Sequence, residues 1–512
     1  MTPQFDGMAA WAPARPHSGA GALVAPAVVG GAVLVVAGLA GFVAPAHAGA
    51  MVLLGGVGAA VAAIGLGSPV VAVTVLLVAQ AVRLALPEGP PSSIFLVAFV
   101  GVIASATLAV ARRAVPTPRP DGIELAMVLY ALWNVGSAFA DHAYAATIPL
   151  TGQTTSVYRF LLGGTIIPFV LFFVGRHVVV RTSVVRLFLW FSVGLSAYSA
   201  MMAFFQFNGP ASLIWPRFIA QSEVWPGRAV GIFNQPVMNG LTFTTGFAAA
   251  VALASLPGRL ALRVVAGLVA IASVYGVFAT HTRGTWLAFA AVLVLGALFA
   301  RGMRFGYLAT LGAICLVIAT NWQTFTSADR AEGGVGSAGE VEDRLNSAAT
   351  SLWAIEQKPL FGWGIARFVP VNTYHHQQWS PDVPWERGFA IASHLNELGI
   401  AAELGLIGLA LWLVVQVLLA ANLVKAWRRT PSEDRWGSAL VFVAGGSWLA
   451  LVISGFTADL RFFDYSNSMI MLLVGMAIGW AAHRSKDAGT HAPAAATPRP
   501  APTAARTAGV VG

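Results

Sequence analysis

The chain is predicted to be an all-α polytopic integral membrane protein with about 14 transmembrane helices and one large external loop. Three observations lead there. Of its 512 residues, 57% are hydrophobic and only 10% charged, against about 25% charged in a typical soluble domain. Apolar runs of about 20 residues recur, each able to cross a hydrocarbon core of roughly 30 Å. These runs are unbroken rather than alternating, which excludes a barrel, and a helix satisfies its own backbone groups in lipid.

In chain order, a cytoplasmic segment is expected at 1–20 and spans at 21–45, 48–66, 69–86, 93–111, 122–140, 157–175, 185–206, 236–256, 260–279, 284–300 and 304–320. The hydrophilic stretch Asn321–Ile391 is the large loop, and residues 392–483 hold the spans 403–424, 437–458 and 466–482 behind an external lead-in. The Ala/Pro/Thr-rich residues 484–512 read as a disordered cytoplasmic tail. Residues 44–48 (APAHA) resemble a signal-peptide cleavage site, but the apolar run before them is longer than a usual h-region and Arg15 is its only basic flank.

Loop charge orders the spans. With the N-terminus inside, the inside connections carry Arg112, Arg113 and Arg119; Arg176, Arg181 and Arg186; Arg259 and Arg263; Arg301 and Arg304; Lys425, Arg428, Arg429 and Arg435; and Arg484 with Lys486. Positive residues collect on the cytoplasmic side. Merging the spans at 48–66 and 69–86, joined only by Gly67-Ser68-Pro69, would reverse every later loop, so parity favours the split. The net charge of +9 is thus read as topology rather than as nucleic-acid binding. Three lysines among thirty basic residues point to a GC-rich bacterial genome. The single cysteine, Cys315, permits neither an internal disulfide nor a cysteine metal cluster.

The outside face then receives Asp141–Val157, Asn208–Gln235, His281–Arg283, Asn321–Ile391 and Asp459–Asp464. Arginines here run against the positive-inside bias. Arg228 lies in WPGRAVGIFNQPVMNG, Arg283 in THTRGTW, and Arg344 in a stretch whose Val341, Leu345, Ala348, Leu352 and Ile355 recur at helical spacing. That stretch is expected to be an amphipathic helix on the outer face. An arginine at a span end is often only an interface anchor. Arg228 and Arg283 at neighbouring outer ends fit a phosphate or diphosphate clamp instead, because guanidinium forks match phosphate oxygens. Arg159 is a further candidate. His394 opens the helix after the large loop, and a histidine titrates where it can activate a hydroxyl or hold an anionic oxygen. His375, His376 and Asp382 lack the spacing of a metal site. Tyr374, Trp353, Trp363, Trp379 and Trp385 suit either stacking on sugar faces or an interfacial aromatic belt.

Four segments, in order, resemble the O-antigen ligase and Wzy-type polymerase family of bacterial membrane glycosyltransferases. GRAVGIFNQPVMNG is similar to its Arg-x-x-Gly-x-Phe-x-Asn-Pro segment, with Gln235 set between Asn234 and Pro236. THTRGTW resembles its Ser/Thr-Arg-Gly element. DRLNSAATSLWAIEQKPLFGWGIARF resembles its Arg-containing helix and Pro-x-x-Gly-x-Gly turn, which here places Gly362 and Gly364. SHLNELGIAAELGLIGL resembles its His-Asn motif followed by Glu-x-Gly, here His394, Glu403 and Gly405, with Leu395 where Asn is usual and Asn396 one place later.

The resemblance covers about residues 215–425. It implies a glycosyltransferase without metal or other cofactor, working at the outer face of the bacterial inner membrane. Its donor would be a polyprenyl-diphosphate-linked glycan and its acceptor a glycan or lipid, within the bilayer and without nucleic acid. His394, Arg228 and Arg283 would be catalytic, with Arg344, Asn234, Arg159, Gly362 and Gly364 binding substrate and no metal ligands. The rival reading is a transporter or flippase of lipid-linked glycans. It is disfavoured because polar residues gather on one face rather than at the bilayer midplane. The sequence does not separate ligase from polymerase.

Overall fold

The computed structural model describes residues 68–85, 91–222, 224–329, 331–336, 339–384 and 391–490. The expected segments 1–20, 21–45 and 48–66, the APAHA stretch, Trp385 and the tail beyond Thr490 lie outside the described residues. Among the described residues every regular element is helical and no strand occurs.

Helix α1 (Pro69–Val82) runs into a 3-10 turn, Arg83–Ala85, and is followed by α2 (Pro91–Ala111) and α3 (Gly122–Phe139). A π-helical stretch, Arg159–Ile166, leads directly into α4 (Ile167–His177). Then come α5 (Thr182–Asn208), α6 (Pro236–Ser255), α7 (Leu260–Ala279), α8 (Arg283–Phe299) and α9 (Arg304–Thr320). Three helices, α10 (Trp322–Thr326), α11 (Gly339–Gln357) and α12 (Phe368–Tyr374), form the hydrophilic segment. The chain returns through α13 (Asn396–Arg429), α14 (Arg435–Gly455) and α15 (Asp464–Thr490).

Local chemistry explains the starts. Ser68 caps α1 and Pro69 occupies its first turn, where a missing N–H costs nothing. Asp121 and Glu124 make a capping box on α3. Arg176 from α4 binds both carboxylates, at 2.5 Å from Asp121 and 2.8 Å from Glu124. One of the arginines expected to set topology is therefore also a structural tie.

Among the described residues, eight helices are long and apolar enough to cross a membrane: α3, the α4 helix from Arg159, α5, α6, α7, α13, α14 and α15. Four more apolar helices, Pro69–Ala85, Phe95–Ala111, Arg283–Phe299 and Arg304–Thr320, are shorter. All twelve fall on spans expected from residue 69 onward, so the chain is a helical multi-pass membrane protein. Two boundaries differ most. Helix α13 begins at Asn396 rather than 403, and α15 continues to Thr490, into residues expected to be a disordered tail.

Helices α6 and α15 form the centre and are almost wholly buried, whereas α7 and α13 leave most of their surface outward. Close approach of backbones ties α15 to α4. A Cβ on Gly475 would lie 2.1 Å from the Phe172 carbonyl oxygen, and one on Gly479 2.2 Å from that of Arg176. Small residues at such crossings let packing and weak hydrogen bonds act without a hydrophobic drive.

Helix α11 forms where its periodicity places it, but the packing face is not the expected one. Asp343, Asn346, Ser347, Thr350, Ser351 and Ala354 are buried, while Val341 and Leu352 of the apolar stripe are exposed. Hydrogen bonds account for this. Ser347 Oγ donates to the Ser393 carbonyl at 2.6 Å, and the Asn346 side chain bonds the Trp379 N–H and the Pro384 carbonyl. The helix thus docks through its polar side.

Candidate functional site

One cavity of about 350 Å³ opens where the ends of several helices meet. Its walls include Gln80 and Arg83 from the end of α1, Arg159 from the π-helical stretch, Arg228, and Ile232 to Met238 by way of Asn234. Thr282, Asp343 and Arg344, His394, and Thr457 to Asp459 with Phe462 to Asp464 complete it. Five residues singled out in the sequence (Arg159, Arg228, Asn234, Arg344 and His394) therefore share one space although they span 159 to 394.

Each is held by its local backbone. Gly231 and Asn234 both take left-handed conformations, φ 58° and 48°, bringing the chain back on itself just before α6. The Arg228 carbonyl accepts from Gln206 Nε2 at 2.9 Å, and its guanidinium lies 5.4 Å from the Trp225 ring centroid. Asn234 Oδ1 accepts from Ser222 Oγ at 2.9 Å. The extra residue Gln235 caps α6, its Oε1 accepting the Val237 N–H at 2.8 Å. An apparent departure from the family motif is thus a helix cap. His394 also has positive φ, 52°, one residue before the Leu395 cap of α13. Its neighbour Ser393 is the residue to which α11 is tied. Arg344 is carried on that same α11.

Arg283 does not line the cavity. It begins α8 directly after Thr282, which does, and its Nη2 donates to the Gly336 carbonyl at 2.6 Å. Gly362 and Gly364 also lie elsewhere, at a break in α13. Gly405 sits inside that helix with φ 71° and ψ −180°, freeing backbone groups that lipid could not satisfy. The turn 358–364 satisfies them. Trp363 and Gly364 donate to the carbonyls of Ala402 and Glu403, and Leu406 donates to that of Pro359. Trp133 Nε1 takes the Leu404 carbonyl at 2.9 Å. A Cβ at Gly362 would meet the Glu403 carbonyl at 2.4 Å, so the turn can dock only as glycine.

Beside the cavity lies a buried charge network absent from the sequence reading. Arg461 pairs with Glu403 at 2.6 Å and with Asp459 at 2.6 Å, all nearly inaccessible. Burial opposes the Arg461 charge, but Asp459 and Glu403 outweigh it and hold the guanidinium above its ordinary pKa. Glu403 also accepts the N–H groups of Ala366 and Phe368, at 2.9 and 2.8 Å. Asn396 accepts the Leu460 N–H at 3.1 Å. The displaced amide therefore braces the 459–464 turn and does not line the cavity. A second pair, Arg83–Asp464 at 3.2 Å, lies in the wall itself.

Residues 268–413 match the family model for O-antigen ligase. This bears out the resemblance read from the motifs. The O-antigen ligase match runs from within α7 to within α13 and contains Arg283, Arg344, His394 and the α13 break. Arg83, Arg159 and Arg228 stand outside it. No curated protein matches the chain.

The loop aromatics divide. Trp353 and Trp363 stack with Tyr144 and His375, at centroid distances between 4.7 and 6.0 Å, and are used up in packing. Tyr374 and Trp379 stay about half exposed. Among the described residues no group of three His, Cys, Asp or Glu is arranged to hold a metal ion.

Proposed function

We propose that this O-antigen ligase-like membrane protein transfers glycan from a polyprenyl-diphosphate-linked donor to a hydroxyl of a glycan or lipid acceptor. The work is done in the described cavity, at the outer face of the inner membrane and without a metal. The observation that carries the reading is the convergence of Arg83, Arg159, Arg228 and Arg344 with His394 on one cavity.

The chemistry follows from charge. The acceptor oxygen bonds to the anomeric carbon as that carbon's bond to the diphosphate breaks. Negative charge grows on the departing polyprenyl diphosphate, where preorganised guanidinium groups stabilise it most. The acceptor proton goes to His394, or is oriented by it. Arg283 takes a positioning role here, fastening the hydrophilic segment to α8 through Gly336. The fourteen-span arrangement, with that segment outside, belongs to the same reading and is supported by the positive-inside pattern.

The test is lipid-linked glycan turnover in cells and in proteoliposomes. Arg228→Ala and His394→Ala, made at normal levels, are each expected to lower turnover by about 100-fold or more, and chelators are expected to leave it unchanged. Full turnover in both variants would sink the reading. Movement of labelled lipid-linked glycan across the vesicle membrane without transfer would favour a flippase instead. Single repeat units accumulating in a deletion strain would mark a polymerase, and long unattached chains a ligase.

A further inference from the structure

The α1 end of the cavity carries a feature that the diphosphate chemistry does not use. Gln80 is 4% exposed, lines the cavity, and neither its Oε1 nor its Nε2 has a hydrogen-bond partner among the described residues. A buried amide left in this way is costly, and such groups are almost always satisfied. Arg83, one helical turn further on, lines the same cavity. It spends one nitrogen on Asp464 at 3.2 Å and leaves Nε without a partner. Residues at i and i+3 share a helix face, and both Gln80 and Arg83 line the cavity.

The amide's two ends choose the ligand. Phosphate oxygens only accept, so a phosphate would satisfy Nε2 and leave Oε1 unpaired. A sugar hydroxyl or acetamido group both donates and accepts. We propose that Gln80 is a specificity-determining residue that binds the sugar next to the diphosphate, through paired hydrogen bonds to a hydroxyl or acetamido group, while Arg83 takes the adjoining phosphate. This rests on the donor assignment made above, which places a sugar one bond beyond a phosphate.

Two probes separate the parts: farnesyl diphosphate, a lipid diphosphate without sugar, and N-acetylglucosaminyl-diphospho-undecaprenol. Binding to the full-length protein in detergent is read by quenching of tryptophan fluorescence, Trp225 being in the cavity wall. Gln80→Met is expected to leave farnesyl diphosphate affinity unchanged and weaken the sugar-bearing lipid by about 10-fold, the worth of one or two neutral hydrogen bonds. Its unliganded melting temperature is expected to hold or rise, because an unpaired polar group gives way to an apolar one of similar shape. Gln80→Leu, likewise uncharged and close in size, is the second variant and is expected to give the same split between the two probes. Equal weakening of both probes, no weakening of either, or a lowered melting temperature in the unliganded protein would each overturn the sugar contact. Arg228→Ala is the control for the donor assignment and is expected to weaken both probes. Were it to change neither, the diphosphate reading would fall while the Gln80 comparison still decided the amide.

Discussion

Arg461 ties the cavity wall at Asp459 to the buried Glu403. It holds Asp459, which lines the cavity, and Glu403, which holds the backbone at Ala366 and Phe368. Removing one member of a buried ion cluster leaves uncompensated charge, a loss of about 3–5 kcal/mol. Arg461→Leu is therefore expected to lower the melting temperature in detergent far more than Arg344→Leu, whose side chain is only partly buried. Equal shifts would contradict this ranking. The sequence showed Arg228, Asn234 and Arg159 because they lie near outer span ends, and Arg344 and His394 because they sit in motif segments of the hydrophilic stretch and the helix after it. It hid Gln80 and Arg83. They close an apolar run with no motif around them, and only the tertiary fold brings α1 against the 228–238 loop.

The break in α13 is the element with the sharpest requirement. At φ 71° and ψ −180° Gly405 occupies a region open essentially to glycine, and an added Cβ would lie 2.0 Å from the Leu360 carbonyl oxygen. Gly405→Ala is expected to destabilise by roughly 1–3 kcal/mol from backbone strain alone, with the clash added. Thermal unfolding would show it, and an unchanged midpoint would mean the turn is not docked there. His142 packs under the same turn, its Nε2 donating to the Ser137 carbonyl at 2.6 Å, and burial pushes its imidazole below the ordinary 6.5. The folded protein thus keeps His142 neutral while the unfolded chain binds a proton. This contribution is complete above pH 6.5 and is lost as pH falls below it. His142→Gln should flatten that part of the stability profile. Helical periodicity revealed α11 but misread its packing side. Hydropathy treats Asn346 and Ser347 as water-facing, whereas side-chain hydrogen bonds to the 379–393 chain make them interior.

For the whole molecule, apolar length revealed the spans from residue 69 onward, while hydropathy alone could not separate central helices from peripheral ones. Helices α6 and α7 are both strongly apolar, yet only α6 is enclosed. The proposed orientation is open to direct measurement. In a Cys315→Ser background, Val341→Cys is expected to react with a membrane-impermeant thiol reagent in spheroplasts. Ser432→Cys, in the α13–α14 connection, is expected to react only after permeabilisation. The opposite pattern would invert the topology and place the cavity mouth in the cytoplasm.

The cavity also draws its wall from both sides of the family-matched stretch 268–413, with Gln80, Arg83, Arg159 and Arg228 before it and Asp459 and Asp464 after it. A chimera that exchanged only the matched stretch between two such proteins would transplant His394, Arg344 and the kinked helix. It would leave the recipient's own Arg83, Arg159, Arg228 and Gln80 in place. Acceptor handling would travel with the graft, and donor preference would stay with the host.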